Sequence, residues 1–326
     1  MCVRSLATAV FSVVAIWSFE SRACSVCEPG DPLFSGEGAS AQPAGSLAFY
    51  LDARHAWKRS GALPHHDDDH EHESEGRDDE ENYTRETWLF ASWTPLERLT
   101  LTAAVPHRWI TIEEQPHAEP DQRLRNSGFG DAQLFATAIL WRNREHVPST
   151  WLEGRLMLKL PTGQRDARTD GKLDPHAQLG TGSWDWGVGL AATHRFIEGS
   201  IYGSVFFRFN SEGALDYEYG DVLLANVAFT SDALRYSMDS GQSELRGGAE
   251  LNFRYAGKDD FRRRSYDDSG GSILYVTPFV ELRLGSLTSG HAPWLRLSMR
   301  IPLGSGGLHG RQREGFVYSA GLRLSF

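Results

Sequence analysis

The sequence predicts an all-β protein, a transmembrane antiparallel β-barrel of about 12 strands of the bacterial outer-membrane type. Three observations carry this prediction. Apolar residues recur at period two from position 45 onward, long and short connections alternate along the chain, and the chain ends in an amphipathic segment whose last residue is Phe326. A bundle of membrane helices is excluded because the mean hydropathy is −0.41 and 23% of the residues are charged.

The N-terminus reads as an export signal. The run from Leu6 to Trp17 is apolar over about 12 residues, and it is too short for the roughly 20 residues of a spanning helix. Arg4 precedes it, and Ser21-Arg22-Ala23 offers a small-residue cleavage site. We therefore expect residues 1–23 to be a signal peptide.

A periplasmic N-terminal segment follows, over residues 24–44, and it contains an isolated CxxC pair. Cys24 and Cys27 suit a local disulfide or an unpaired thiol pair in an oxidising compartment. The alternative is half of a metal site, which needs two further ligands from elsewhere. The sequence does not choose between them.

The barrel is expected over residues 45–326, with long connections outside the cell and short turns in the periplasm. Short turns at 94–97 and 197–200 alternate with long connections at 113–127 and 161–181, whereas 231–243 is long for a periplasmic turn. An even strand number keeps both chain ends on the periplasmic side. The predicted strands are 45–58, 82–94, 97–112, 128–142, 150–161, 182–196, 199–210, 218–230, 244–256, 272–285, 292–303 and 314–326.

Aromatic residues at the predicted strand ends suit a membrane-interface girdle, as amphipathic rings prefer that level. The tryptophans in question are Trp93, Trp109, Trp141, Trp151, Trp184, Trp186 and Trp294.

The last strand resembles the signal by which the barrel-assembly machinery selects its substrates. The residues that form this assembly signal are Tyr318, Leu322, Leu324 and Phe326.

The phase of the alternation assigns the two faces, because an Arg or Lys facing lipid at midplane costs roughly 2 to 4 kcal/mol. The predicted lumen-lining residues are Glu153, Arg155, Lys159, Arg208, Arg246, Glu250, Arg254, Glu281, Arg283, Arg296, Arg300 and Arg323. The predicted lipid face includes Leu152, Leu156, Leu158, Ile201, Val205, Phe207, Phe209, Val276, Val280, Leu282, Leu295, Leu297 and Met299. The lumen is thus expected to be wet and ionic, without strong ion selectivity.

Four short motifs occur in order: Val105-Pro106, Ser127-Gly128-Phe129-Gly130-Asp131, Lys159-Leu160-Pro161-Thr162-Gly163 and Gly180-Thr181-Gly182-Ser183-Trp184-Asp185. With them the chain resembles a family of outer-membrane transporters named for association with the meta-cleavage pathway of phenol degradation. The resemblance implies a barrel and transport, and it carries over no catalytic residue. Physically, the motifs suggest rim chemistry, with Asp131 accepting backbone hydrogen bonds, Pro161 ending a strand and Gly163 adopting a positive φ.

An acidic histidine-rich loop is predicted on the extracellular side at about residues 60–82. Imidazoles and carboxylates at this density suit Zn²⁺, Cu²⁺ or Ni²⁺ with weak affinity, since a loop has no preorganised geometry. The alternative is a solvated acidic loop with incidental histidines. With the cysteine pair, the metal-ligand candidates are His65, His66, Asp67, Asp69, His70, His72, Cys24 and Cys27.

The sequence predicts no enzyme, because it has no nucleophile elbow, P-loop or dinucleotide fingerprint. Nucleic acid is not expected as a partner, since 43 acidic residues outnumber 33 basic ones for a net charge of −10. We predict an outer-membrane channel or transporter for a small solute, either a hydrophobic or aromatic compound or a metal ion, requiring no cofactor. Its other expected partners are outer-membrane lipid, lipopolysaccharide and the barrel-assembly machinery. The alternatives are a surface barrel that captures metal without transport and a soluble periplasmic β-sandwich.

Overall fold

The computed structural model describes residues 43–60, 80–114, 122–143, 148–166, 168–169, 172–173, 178–238, 243–265, 269–284, 293–303 and 313–326. In this part, twelve long antiparallel strands close into one barrel. They are β1 (Leu47–Ser60), β2 (Glu80–Leu96), β3 (Leu99–Glu114), β4 (Gln122–Phe129 and Ala132–Arg142), β5 (Thr150–Leu160), β6 (Asp185–Phe196), β7 (Gly199–Phe209), β8 (Val222–Met238), β9 (Ser243–Ala256), β10 (Gly271–Arg283), β11 (Trp294–Pro302) and β12 (Arg313–Ser325). The predicted fold class is confirmed.

Closure joins the two ends of the chain. Strand β1 pairs with β2 on one side and with β12 on the other. Leu47 and Phe326 exchange backbone hydrogen bonds of 3.1 and 2.7 Å at the seam. The long strands therefore present no open sheet edge, which is the condition for a β-structure to stand in lipid.

Strand β4 consists of two pieces because the chain bends at Gly130 and Asp131. Both pieces pair with β3, so they count as one strand of the barrel. The Gly130 N–H donates to the Pro106 carbonyl at 2.9 Å and carries the ladder across the bend. Asp131 therefore lies at the bend and belongs to neither piece of the strand.

The largest difference from the predicted strands is in β8, which spans Val222–Met238 rather than 218–230. Its pairing with β9 is interrupted between Ser231 and Tyr236 and resumes through Met238. The unpaired residues between Ser231 and Tyr236 interrupt the alternation of apolar and polar residues. A prediction from this alternation therefore ends the strand too early. Only four residues separate β8 from β9 along the chain, so the expected rhythm of long and short connections holds there.

Large apolar side chains occupy the outer face of the wall. On β6, Trp186, Val188 and Leu190 are about half exposed, while the alternating Asp185 and Ala191 are buried. A soluble sandwich would bury those large side chains in a shared core. The soluble alternative is therefore wrong, and the apolar outer band indicates an outer-membrane location.

Outside the long strands the described residues contain only short elements, at Arg168–Thr169, Lys172–Leu173, Ala214–Asp216, Tyr217–Glu218, Asp260–Phe261 and Arg264–Ser265. In the part of the chain that is described, none of the helical segments has the length and apolarity to cross a bilayer. The predicted signal peptide and the CxxC pair lie outside the described residues, as does the histidine-rich stretch from 61 to 79.

Candidate functional site

The lumen is identified by contacts between strands that are not neighbours in the sheet. Arg254 on β9 donates to Glu314 on β12 at 2.5 Å, and Arg296 on β11 pairs with Glu250 on β9. One or two strands separate these partners in the sheet order. Such contacts can only cross the concave inner side of a closed barrel, so these side chains point inward.

One wall of the lumen carries paired charges. We call this set the ionic ladder: Asp52, Arg54, Arg246, Glu250, Arg254, Glu281, Arg296 and Glu314. Arg54 contacts Asp52 at 2.6 Å, and Glu281 receives Arg246 at 2.6 Å and Arg296 at 2.9 Å. These contacts hold the ladder together, because removal of one partner of a buried ion pair costs about 3 to 5 kcal/mol.

The ionic ladder leaves little free space. Arg300 lies within electrostatic range of Asp52 and Glu250 and helps to line a cavity of about 20 Å³. That volume holds about one water molecule. The sequence predicts a wet lumen, but this wall has room for little water because its charged side chains contact each other directly.

The facing side of the lumen carries an apolar cluster among buried ion pairs such as Glu86–Arg108 and Glu153–Arg155. An aromatic plug comprises Trp88, Phe90, Ala104, Phe135, Met157 and Phe206, with Tyr50 and Leu224 packed against it. Phe90 stacks on Trp88 at 5.8 Å and contacts Tyr50 at 5.6 Å, measured between ring centroids. Members come from β2, β3, β4, β5 and β7 and meet inside the barrel. The plug closes off part of the lumen cross-section.

Two glycines make room for the plug. A Cβ built on Gly189 would lie 2.6 Å from Phe206 Cδ2, and one built on Gly187 would also collide with that ring. Both glycines occupy inward positions of β6 opposite β7. The wall is thus shaped to accept this phenylalanine.

Sequence reasoning missed the plug, although a signal for it exists. Trp88 and Phe90 are in phase with the buried Glu86, and Phe206 is in phase with Arg208. Side chains two residues apart on a strand point to the same face. A large apolar residue two positions from an inward charged residue therefore points into the lumen and not toward lipid. Reading phase for the apolar residues as well as for the charged ones identifies these members of the plug.

The remaining predicted lumen residues also occupy inward positions. Glu153 accepts hydrogen bonds from Trp151 and Arg155, both at 3.0 Å, and the Arg155 guanidinium lies 5.5 Å from the Tyr202 ring. Arg208 follows Phe206 on the same face of β7, Arg283 lies 3.7 Å from Glu244, and Arg323 is the cross-strand partner of Trp294.

The expected tryptophan girdle needs a correction at two positions. Trp151 is only 5% exposed and donates inward to Glu153. Trp294 lies on the inner side, with the guanidinium of Arg246 4.3 Å from its ring. Proximity to a turn does not fix the face of a residue, and both share the phase of inward charges. The other five tryptophans are exposed.

The four family-like motifs meet at the extracellular end of β3 to β6. Asp131 accepts the Gly163 N–H at 2.8 Å, the Thr181 N–H at 2.8 Å and the Thr181 hydroxyl at 3.0 Å. Lys159 lies 3.6 Å from Asp131 and forms a closer ion pair with Asp185. We call this assembly the rim knot. It ties the β5–β6 connection onto the bend of β4, as expected for Asp131.

The rim knot sends a side chain into the mouth of the barrel. Leu179 is fully buried and packs against Ile110 of β3. Arg108 donates to the Leu179 carbonyl at 3.1 Å and pairs with Glu86 at the same distance. The β5–β6 connection therefore narrows the extracellular opening.

Two further connections, between β7 and β8 and between β9 and β10, pack against each other. Asp259, after β9, is fully buried and accepts the Tyr217 hydroxyl at 2.5 Å and the Gly220 N–H at 2.8 Å. Burial raises the pKa of Glu218 above its ordinary value, and the nearby carboxylates of Asp260, Asp221, Glu212 and Asp185 raise it further. These carboxylates make the surface around Glu218 acidic.

The predicted assembly signal lies on the outer face of β12. Tyr318, Leu322 and Phe326 are exposed, and Leu324 shares their phase. The Phe326 and Phe49 ring centroids lie 6.3 Å apart across the seam.

The described residues contain no group of three or more His, Cys, Asp or Glu that could hold a metal ion. The histidine-loop and CxxC candidates lie outside that part.

Comparisons with known proteins support the fold. No family model matches the chain, and no curated protein is similar to it. An outer membrane channel from Pseudomonas putida F1 is similar in structure, with a TM-score of 0.59, 15% identity, and coverage of 91% of this chain and 100% of that one. At this identity the likeness shows the barrel fold alone.

Two other solved barrels align less well. The translocator domain of the autotransporter NalP from Neisseria meningitidis has a TM-score of 0.45 and 11% identity, covering 89% of this chain and 90% of that one. The toluene transporter TbuX from Ralstonia pickettii has a TM-score of 0.37 and 10% identity, with 87% and 90% coverage. These scores are too low to support an argument.

The rim knot predicts that Gly163→Ala weakens the mouth. A Cβ at this position would lie 2.7 Å from Gly180 Cα and 2.9 Å from Asp131 N, both backbone atoms that cannot rotate away. The reason is close approach, since Gly163 does not have the positive φ expected from the sequence. Overpacking of this kind costs about 1 to 3 kcal/mol. We expect faster proteolysis within 161–184 on vesicle-embedded protein.

The matched control is Gly203→Ala on the outer face of β7, where the nearest neighbour of the added Cβ is 3.9 Å away. It should leave both cleavage and the temperature of heat-induced gel shift unchanged. Equal cleavage rates in the wild type and Gly163→Ala would contradict the role given to the rim knot.

Proposed function

We propose that this chain is a gated outer-membrane channel for a small solute with an apolar or aromatic body. The observation that carries the proposal is the position of the aromatic plug opposite the ionic ladder. A structural role alone does not require eight paired charges opposite an aromatic plug. A channel wall with both surfaces suits a molecule that has both kinds of surface.

Tyr50 lies where the aromatic plug meets the ionic ladder. Its ring packs on the aromatic plug, and it also lines the small cavity with Asp52 and Arg54. Arg155, whose guanidinium lies over the Tyr202 ring, makes a second place where charge meets aromatic surface. A solute moving past these residues would exchange one set of packed contacts for another.

The lumen of the described structure is too filled for a general diffusion pore. The aromatic plug occupies its middle, and Leu179 with the rim knot narrows its mouth. Passage therefore requires plug or mouth side chains to move. This favours a channel selective for one class of solute over a porin, in line with the family resemblance and with the channel of similar fold from Pseudomonas putida F1.

Phe206→Ala should open the lumen. The change removes the ring that fills the space beside Gly187 and Gly189, so we expect single-channel conductance in planar bilayers to rise several-fold. Phe206 is 2% exposed, and a buried Phe→Ala change costs about 3 to 5 kcal/mol, so assembly is checked first by heat-induced gel shift.

Phe229→Ala is the matched control, because Phe229 is 45% exposed on the outer face and lies outside the plug. It should conduct like the wild type. If Phe206→Ala assembles and its conductance equals that of the control, the plug does not close the path and this proposal fails.

The histidine-rich loop gives the second candidate function, capture or transport of a divalent transition metal. Its composition is the observation that favours it, since all nine residues from His65 to Glu73 carry an imidazole or a carboxylate. We predict that the full chain binds Zn²⁺ in calorimetry at about micromolar strength or weaker, and that deletion of 62–81 abolishes the binding.

Acidification gives an independent check, because imidazole protonation below about pH 6.5 should release the metal. Retained Zn²⁺ binding after the deletion would move the site elsewhere, with Cys24 and Cys27 as the remaining candidates. Absence of Zn²⁺ binding to the intact chain would remove the metal role. We propose no catalytic function and no required cofactor.

A further inference from the structure

We propose that a groove on the outer wall of β1, β2, β3, β4, β11 and β12 binds the phosphate-bearing head of an outer-leaflet glycolipid, the chemistry of lipopolysaccharide. The groove has a volume of about 1220 Å³. This exceeds the roughly 300 to 1,000 Å³ of drug-sized ligand pockets and suits a lipid head. The inference rests on the membrane orientation of the barrel and is independent of transport.

The groove opens on the outer wall: eleven of its fifteen lining residues occupy outward positions, and Arg54, Glu86, Ser298 and Ser319 of the inner face also border it. Its lining includes Ala53, Arg85, Trp109 and Tyr318, which occupy outward positions of their strands. Ala53 is the cross-strand partner of Ala320, and two adjacent small residues create the depression between larger neighbours. Trp109 and Tyr318 are 43% and 51% exposed and form part of its walls.

The level of the groove is the extracellular edge of the apolar band. Below it, the outward cross-strand partners Leu51, Leu89 and Val105 are all exposed aliphatic residues. Two rows higher, the partners are His55, Arg85 and Trp109. The change from aliphatic to basic and aromatic side chains marks the interface of the outer leaflet. A lipid seated here would place its acyl chains on the aliphatic rows and its head in the groove.

The charge of the groove fits a phosphate. Arg85 and Arg125 are exposed, both line the groove, and neither makes an ion pair within the described residues. Arg125 is the cross-strand partner of Thr111, and Arg85 is that of Trp109, so β3 separates them. Two strands span about 10 Å, a distance that two guanidinium groups can bridge onto one phosphorylated head.

His55 adds a donor at the same site. Its Nδ1 atom is buried and has no hydrogen-bond partner among the described residues. Tyr83 and Thr111 supply further polar side chains on the outward face. Guanidinium, imidazole and hydroxyl groups are the usual ligands of phosphate oxygens, and a basic cluster at a membrane surface is typical of anionic lipid recognition.

The test compares the detergent-purified full chain with the double variant R85Q/R125Q, with lipopolysaccharide as the probe and Trp fluorescence and unfolding temperature as readouts. At about 1 kcal/mol per arginine, the double variant should bind roughly 30-fold more weakly. The matched control is R98Q/R142Q, which removes Arg98 from the β2–β3 turn and Arg142 from the periplasmic end of β4, and it should bind like the wild type. R125Q alone gives an intermediate loss and serves if the double variant does not assemble.

Two further probes separate the sources of the phosphate. Dephosphorylated lipopolysaccharide should bind the wild type as weakly as the intact lipid binds R85Q/R125Q, and inorganic phosphate should not shift the unfolding temperature. Equal binding of all variants, equal binding of the dephosphorylated lipid, or saturable binding of inorganic phosphate alone would overturn the proposal. A dimer that R85Q/R125Q converts to monomer would assign the groove to a second copy of the chain and overturn it as well.

Discussion

The structure depends on one constraint, that no backbone polar group of a membrane-spanning segment can be left without a hydrogen-bond partner in lipid. The seam between β1 and β12 meets it, because the last residues of the chain pair with the first strand. Once that seam closes, every long strand has two neighbours. The alternation of side chains then becomes a division between a lipid-facing outside and an enclosed inside, and all other features of the molecule follow from that division.

Enclosure changes what the inner residues can do. A barrel of twelve strands is narrow enough for side chains from non-adjacent strands to touch, as Arg254 and Glu314 do. The charges that must avoid lipid therefore find partners across the lumen, and the aromatic plug fills the facing side. The rim knot packs the mouth in the same way, because Asp131 accepts three hydrogen bonds from the β5–β6 connection. The result is a barrel with a packed interior, in which the aromatic plug lies opposite the ionic ladder.

Much of the fold could be predicted from the sequence because period two, charge phase and connection length are local signals. They identified all twelve strands. They failed where an outcome depends on packing between distant strands. The end of β8 was missed because a bulge between Ser231 and Tyr236 breaks the alternation. Trp151 and Trp294 were assigned to the girdle from their nearness to turns, although their phase with inward charges decides their direction.

The site was predicted in part for the same reason. The charged lumen residues could be predicted because an Arg or Lys cannot face lipid. The members of the aromatic plug look like lipid-facing residues, and only their shared phase with Glu86 or Arg208 shows that they point inward. Gly163 was expected to serve a turn, yet its role is close approach to Gly180, which no local pattern reveals. Asp131 was expected to accept backbone hydrogen bonds, and that expectation is confirmed; its partners lie 32 and 50 residues away and could not be named beforehand.

The most direct measurement of the central claim is alkylation of single cysteines along β8 by a membrane-dissolved maleimide, in vesicle-embedded protein whose native cysteines are changed to serine. Val227 and Phe229 are 55% and 45% exposed on the outer face, and Asn226 and Ala228 are 8% and 3% exposed on the inner one. The account predicts rapid modification at 227 and 229 and protection at 226 and 228. Equal modification at all four positions, or protection at 227 and 229 with modification at 226 and 228, would contradict it.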